Sequence, residues 1–247
     1  MTAHRSSDRP AAEGKPPGKH AVVVHKNAPT SDYLSPERAK SALVTIDMQR
    51  DFTLPGGVAK IGGTLAVVPA VRRLVEVFRE QARPIVHMVR LYKPDGSNVD
   101  IYRRACIEAG RRVVMPGTMG AELVDPLKPA PDIRLDPDTL LSGRLQELGP
   151  NEWAAYKPRW GAFYRTPLED HLRRLGITTV VIAGCNFPNC PRATIYEASE
   201  RDFRIVLVTD AVSAATDSGL AEIGDIGVYL MASDQCHAWL THGREAA

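Results

Sequence analysis

The sequence is poor in the features that mark specialised protein classes. Cysteine is scarce: Cys106, Cys185, Cys190 and Cys236 are all there are in 247 residues. They form no CxxC pair and fall short of the density of a secreted disulfide scaffold, so a reducing, cytoplasmic setting is expected. The net charge is only +2 at pH 7, with basic residues scattered. Neither a nucleic-acid footprint nor a membrane-surface patch is therefore expected. No apolar run is long enough to span a bilayer. Met1 to Lys19 is polar and Pro/Gly-rich and lacks the apolar core of a signal peptide. What is present, 44% hydrophobic and 24% charged residues, suits one α/β domain of about 200 residues.

Residues 1–36 are expected to form a flexible tail and docking arm, and residues 37–247 the folded domain. The tail to about Gly18 has too little apolar surface to offset the entropy of ordering. Ala21 to His25 is apolar enough to dock as an extended arm. Beyond it, apolar runs at Ser41–Asp47, Pro84–Arg90, Gly149–Tyr156, Thr178–Ala183, Phe203–Val208 and Val228–Met231 read as six strands. Helical spacing falls between them: Leu65–Arg83, Thr166–Leu175, Ala193–Glu200 and Asp217–Gly227. Thr166 is placed to cap its helix, with Glu169 completing a capping box. Alternating strands and helices predict a mostly parallel sheet covered on both faces. Lys93–Gly120 is polar and glycine-bearing, with one short helix near Ile101–Ala109. It reads as an insertion over the site.

The stretch Gly184 to Thr194 organises the chain. A β-branched strand enters it and a helix leaves it, so Cys190 falls at a helix N-terminus. Free N–H groups and the helix dipole favour a thiolate there, lowering the thiol pKa. A small buried cysteine filling space is the competing reading. Ligands of parallel sheets sit beyond the carboxyl ends of the strands. Asp47 and Lys157 also fall just past strand ends, so the three should converge at one rim. Singly, Asp47 reads as a loop cap and Lys157 as a solvated charge; jointly they suggest chemistry. Asp47 would take the thiol proton and return it to a leaving amine, with Lys157 holding the negative charge. His87, mid-strand in apolar company, reads as a satisfied core histidine.

The residues that carry this pattern are Leu43 to Phe52, Lys157 to Leu168, and Val181 to Gly184 with Cys190 to Thr194; Gly117 to Leu123 is a weaker match. In order and spacing they resemble the isochorismatase-like cysteine hydrolases. The resemblance implies a Rossmann-like α/β/α fold of three layers and an Asp47–Lys157–Cys190 triad. It implies an oxyanion hole from the N–H groups of Asn186 and Cys190, with a cis peptide between Cys185 and Asn186. It also implies a homodimer or homotetramer.

Two departures shape the expected function. Nicotinamidases of this family carry an Asp-x-His pair after the second strand, where this chain has Arg90-Leu91-Tyr92-Lys93. No metal or other cofactor is therefore expected, and nicotinamide is an unfavoured substrate. True isochorismatases lack the nucleophilic cysteine. What remains is hydrolysis of an amide, ureide or carbamoyl C–N bond in a small molecule. The bulky Phe187-Pro188 pair raises the alternative of a non-catalytic ligand-binding or scaffold protein, and Cys185 that of a redox role. Arg90, Tyr92, Trp160 and Phe187 are the substrate-binding candidates, with Arg90 suited to an anionic or carbonyl group. Phe163 is assigned to the core.

Overall fold

The computed structural model describes residues 33–242; the arm expected over Ala21–His25 lies outside them. The strands are β1 (Ser41–Ile46), β2 (Ile85–Val89), β3 (Gln146–Gly149), β4 (Glu152–Tyr156), β5 (Thr179–Gly184), β6 (Arg204–Val212) and β7 (Tyr229–Met231). The helices are α1 (Arg50–Thr53), α2 (Thr64–Glu80), α3 (Ile101–Glu108), α4 (Pro137–Leu141), α5 (Leu168–Arg174), α6 (Cys190–Ser199), α7 (Asp217–Asp225) and α8 (Ser233–His242).

The seven strands form one sheet in the order β3-β4-β2-β1-β5-β6-β7, parallel throughout except for the β3–β4 pair. The six strands expected were thus one short. Gln146–Gly149 is a four-residue edge strand with a single buried residue, too brief to show a period. Strands β1, β2 and β5 are buried along their whole length. This is why they read as continuous apolar runs rather than alternating ones.

The core divides into one cluster on each face of the sheet. Phe78, Leu74 and Val71 of α2 pack with Leu43 and Val181 on one face. Leu168 and Leu172 of α5 and Ile195 of α6 pack with Val44 and Ile182 on the other. His87 is a satisfied core group, bonded to Thr45 Oγ1 at 2.7 Å and Glu152 at 2.9 Å. The capping box expected at Thr166 does not form. The residue before α5 is Pro167, and the Glu169 carboxylate turns outward to Arg201.

The chain enters the sheet at its middle, at β1, moves out through β2 and β4, and returns to β5 beside β1. The direction of winding reverses between β1 and β5, the place where parallel sheets leave a crevice for a ligand.

Candidate active site

Asp47 follows β1 directly. Its φ of 53° is left-handed, a conformation tolerated by aspartate and costly for most residues. The backbone is held there by its N–H, which donates to Met88 O at 2.9 Å. Lys157 follows β4, and its N–H donates to Val89 O. Its Nζ lies 2.9 Å from Asp47 Oδ2 and also reaches the carbonyls of Arg159 and Trp160, at 3.3 and 3.2 Å. All three ammonium donors are therefore used, in a residue with no exposed surface. The remaining oxygen of Asp47, Oδ1, is buried and makes no ordinary hydrogen bond.

Cys190 is the first residue of α6. Gly184, at the end of β5, has a φ of +123°, and a Cβ there would strike the backbone of Ile46. Only glycine lets β5 close on β1 at this point. The turn that follows is tied down by Cys185 N–H to Ile46 O at 2.9 Å and Phe187 N–H to Ser213 O at 2.8 Å. The N–H groups of Asn186 and Cys190 have no partner among the described residues. The cis peptide expected at Asn186 is absent, as are cis bonds throughout the described residues. The change of direction is made by Gly184 and by Asn189, at φ −117° and ψ −97°.

The Cys190 thiol is not acidified in this geometry. Burial and the negative Asp47 push its pKa up to about 12, against the opposing pull of Lys157 and Arg90. The expectation of a lowered pKa rested on the helix N-terminus, with Lys157 to hold the charge; burial and an adjacent carboxylate outweigh both. The thiol thus rests protonated beside Asp47. All four cysteines are free thiols.

Helix α6 also fixes the loop after Lys157. Thr194 Oγ1 accepts from Ala162 N–H at 3.1 Å, and Glu197 accepts from Phe163 N–H at 2.8 Å. A Cβ at Gly161 would meet that same Glu197 carboxylate, so a side chain there would displace the carboxylate from the Phe163 N–H.

A cleft of about 120 Å³ opens over these groups, lined by Asp47, Cys190, Asn186, Asn189, Arg90, Tyr92, Trp160, Phe52, Ile61, Tyr102, Arg103 and Cys185. Of the substrate-binding candidates, Arg90, Tyr92 and Trp160 line this cleft. Arg90 is already engaged: its guanidinium is paired with Asp100, which also accepts from Tyr92 Oη at 3.1 Å. Phe187 is not in the cleft. It is buried in the core, with Arg192 over its ring, so the turn's bulk points away from the site. Phe163 packs in the core against Phe203. Phe52, Tyr102, Arg103 and Asn189 were not anticipated. The short helix over Ile101–Glu108 was visible in sequence, but which of its side chains reach the cleft depends on how it docks.

Where nicotinamidases carry metal ligands, this chain places Arg90, paired with Asp100, and Tyr92, a phenol that burial keeps protonated. No cluster of three or more histidine, cysteine or acidic side chains suited to a metal occurs among the described residues.

The family profile described as "Isochorismatase domain" matches residues 41–235. A probable inactive nicotinamidase of Arabidopsis thaliana is 33% identical over 194 residues, covering 76% of this chain and 90% of the relative. The ureidoacrylate amidohydrolase of Methylobacterium radiotolerans is 26% identical over 231 residues, covering 86% and 81%. The crystal structure of N-carbamoylsarcosine amidase from Thermoplasma acidophilum superposes with a TM-score of 0.62 at 28% identity, covering 79% of this chain and 97% of that one.

Proposed function

This chain belongs to the isochorismatase family, and from that premise we propose that it is a cysteine hydrolase. It cleaves an amide, ureide or carbamoyl C–N bond of a small molecule, with Cys190, Asp47 and Lys157 as the reacting groups. The observation that carries the reading is the buried Asp47–Lys157 pair at 2.9 Å, whose Asp47 lines one cleft with the Cys190 thiol and perturbs its ionisation.

Substrate enters with its carbonyl carbon toward Cys190 Sγ. Asp47 removes the thiol proton as the C–S bond forms, the negative charge passes to the carbonyl oxygen, and Lys157 holds the Asp47 carboxyl in position throughout. The carbonyl oxygen becomes an oxyanion, and the unpaired N–H groups of Asn186 and Cys190 are its donors. One such donor is worth about 3 kcal/mol in comparable hydrolases. Asp47 then passes its proton to the departing nitrogen, the C–N bond breaks, and ammonia or an amine leaves. The acyl or carbamoyl group is now a thioester or thiocarbamate on Cys190. Water, deprotonated by Asp47, attacks it and restores the thiol. No step needs a metal.

Ureidoacrylate and N-carbamoylsarcosine are the substrates in the names of two relatives, which supports the ureide and carbamoyl end of this range. A non-catalytic reading draws on the relative named as probably inactive. Asp47 and Cys190 share one cleft, Lys157 pairs with Asp47, and the N–H groups of Asn186 and Cys190 are unpartnered among the described residues, which supports the enzyme reading. Mass spectrometry of protein quenched during turnover of an amide and ureide panel tests the proposal. An acyl or carbamoyl adduct on Cys190, missing in Cys190→Ala, is expected. Turnover that survives Cys190→Ala would overturn it.

A further inference from the structure

The charges of the cleft cancel in pairs, with one left over. Lys157 is matched by Asp47 and Arg90 by Asp100. Arg103 lines the same cleft and has neither an ion pair nor a side-chain hydrogen bond among the described residues. Its guanidinium carbon lies 5.6 Å from the ring centroids of both Phe52 and Tyr102. Two rings thus hold the cation without consuming any of its N–H donors.

Asp100 explains why Arg103, not Arg90, is the available cation. Its Oδ2 takes Arg90 and the Tyr92 hydroxyl. Its Oδ1 accepts from Arg103 N–H at 3.2 Å and so caps α3, fixing the start of the helix that carries Arg103. One buried carboxylate neutralises the inner arginine and positions the outer one.

We propose that Arg103 is the specificity-determining residue of the cleft and that the substrate is a short ureido or acylamino acid bearing a carboxylate. The scissile carbonyl sits at the Asn186 and Cys190 N–H groups, and the carboxylate, at the far end, takes the Arg103 guanidinium. A planar fork of donors suits a carboxylate better than a neutral group. Which bond is cut rests on the hydrolase reading; the anion site does not.

The test compares 3-ureidopropanoate with butylurea, a neutral compound of similar length and the same carbamoyl head. Wild type, Arg103→Gln and Arg103→Lys are each assayed at low and high salt. Wild type should favour the acid by roughly 30-fold in kcat/KM, the scale of a charge-assisted hydrogen bond. In Arg103→Gln that preference should collapse, through KM, and Arg103→Lys should restore part of it. Salt should erode the preference only where a cation is present. An unchanged preference in Arg103→Gln overturns the assignment. Calorimetry with 3-ureidopropanoate on Cys190→Ala protein separates the two readings. Binding that is lost on adding Arg103→Gln supports the anion site even if neither compound is hydrolysed. Binding equal with and without Arg103, or absent from both, refutes it.

Discussion

Oδ2 of Asp47 and Nζ of Lys157 stand 2.9 Å apart although β1 and β4, the strands that deliver them, are separated by β2. Both side chains are almost fully withdrawn from water. Removing one partner of such a pair leaves a buried, uncompensated charge, which costs about 3–5 kcal/mol. Lys157→Met should therefore destabilise the protein by that amount, measured by urea unfolding. The double variant Asp47→Asn/Lys157→Met should regain much of the stability and none of the activity. Equal instability in both would show that the cost lies in packing.

Asp47 also acts on Cys190. Its negative charge is, after burial, the main cause of the raised thiol pKa. Asp47→Asn should lower that pKa, so thiolate absorbance should develop at a lower pH than in wild type. Hydrolysis should fall even so, because the proton acceptor and donor is gone. A thiol titration unmoved by Asp47→Asn would remove Asp47 from the neighbourhood of Cys190.

Phe187 supports the nucleophile without touching the cleft. Phe187→Ala leaves a cavity under the turn and should cost about 3–5 kcal/mol. Loss of activity should appear in kcat more than in KM, if Asn186 and Cys190 present the oxyanion donors as proposed and the substrate's other contacts are unchanged. Thermal unfolding and steady-state kinetics give both values. A change confined to KM would instead place the ring against substrate.

Alkaline pH should destabilise the fold. Burial raises Cys185 to about 11, and Cys190 and Cys236 to about 12, from an ordinary 9.0. The unfolded chain releases these protons first. The stability they confer is complete below the unfolded pKa and is lost as pH rises toward the folded values. Urea midpoints should therefore fall steadily above about pH 9, with a shallower decline in Cys236→Ala. A flat profile would mean that the thiols ionise freely in the native state.

Acid should act through Glu152. Burial alone would raise its pKa, but hydrogen bonds from Arg79 and His87 bring it down to about 2 from 4.5. Its contribution is complete above the unfolded value and is lost as pH falls from 4.5 toward 2. Glu152→Gln should flatten the acid limb of a stability profile, and an acid limb unchanged in that variant would assign it to other carboxylates.

What was legible in the sequence follows from how local its cause is. Strands buried on both faces announce themselves as apolar runs, and Asp47, Lys157 and Cys190 could be placed near one sheet rim because each ends or follows such a run. β3 is too short for a period, and α8 (Ser233–His242) mixes polar and apolar residues with no clean stripe. The direction of Phe187 could not be read because a turn has no periodicity. Arg103 was missed because its role depends on which neighbours are already paired. The Cys190 pKa was misjudged because a helix terminus is visible in one dimension and burial is not.

The sheet order has a consequence for how the cleft comes to exist. The proposed triad spans β4-β2-β1-β5, and β2 contributes none of its residues while acting as the spacer between two of its members. Slipping β2 by one residue against β1 would displace β4 by about 3.3 Å, more than the whole Asp47–Lys157 separation. It would also turn β2's side chains to the opposite face. Turnover is therefore a gauge of strand registry, and a chain with its central strands misaligned should be inert even where its helices and apolar layers have formed.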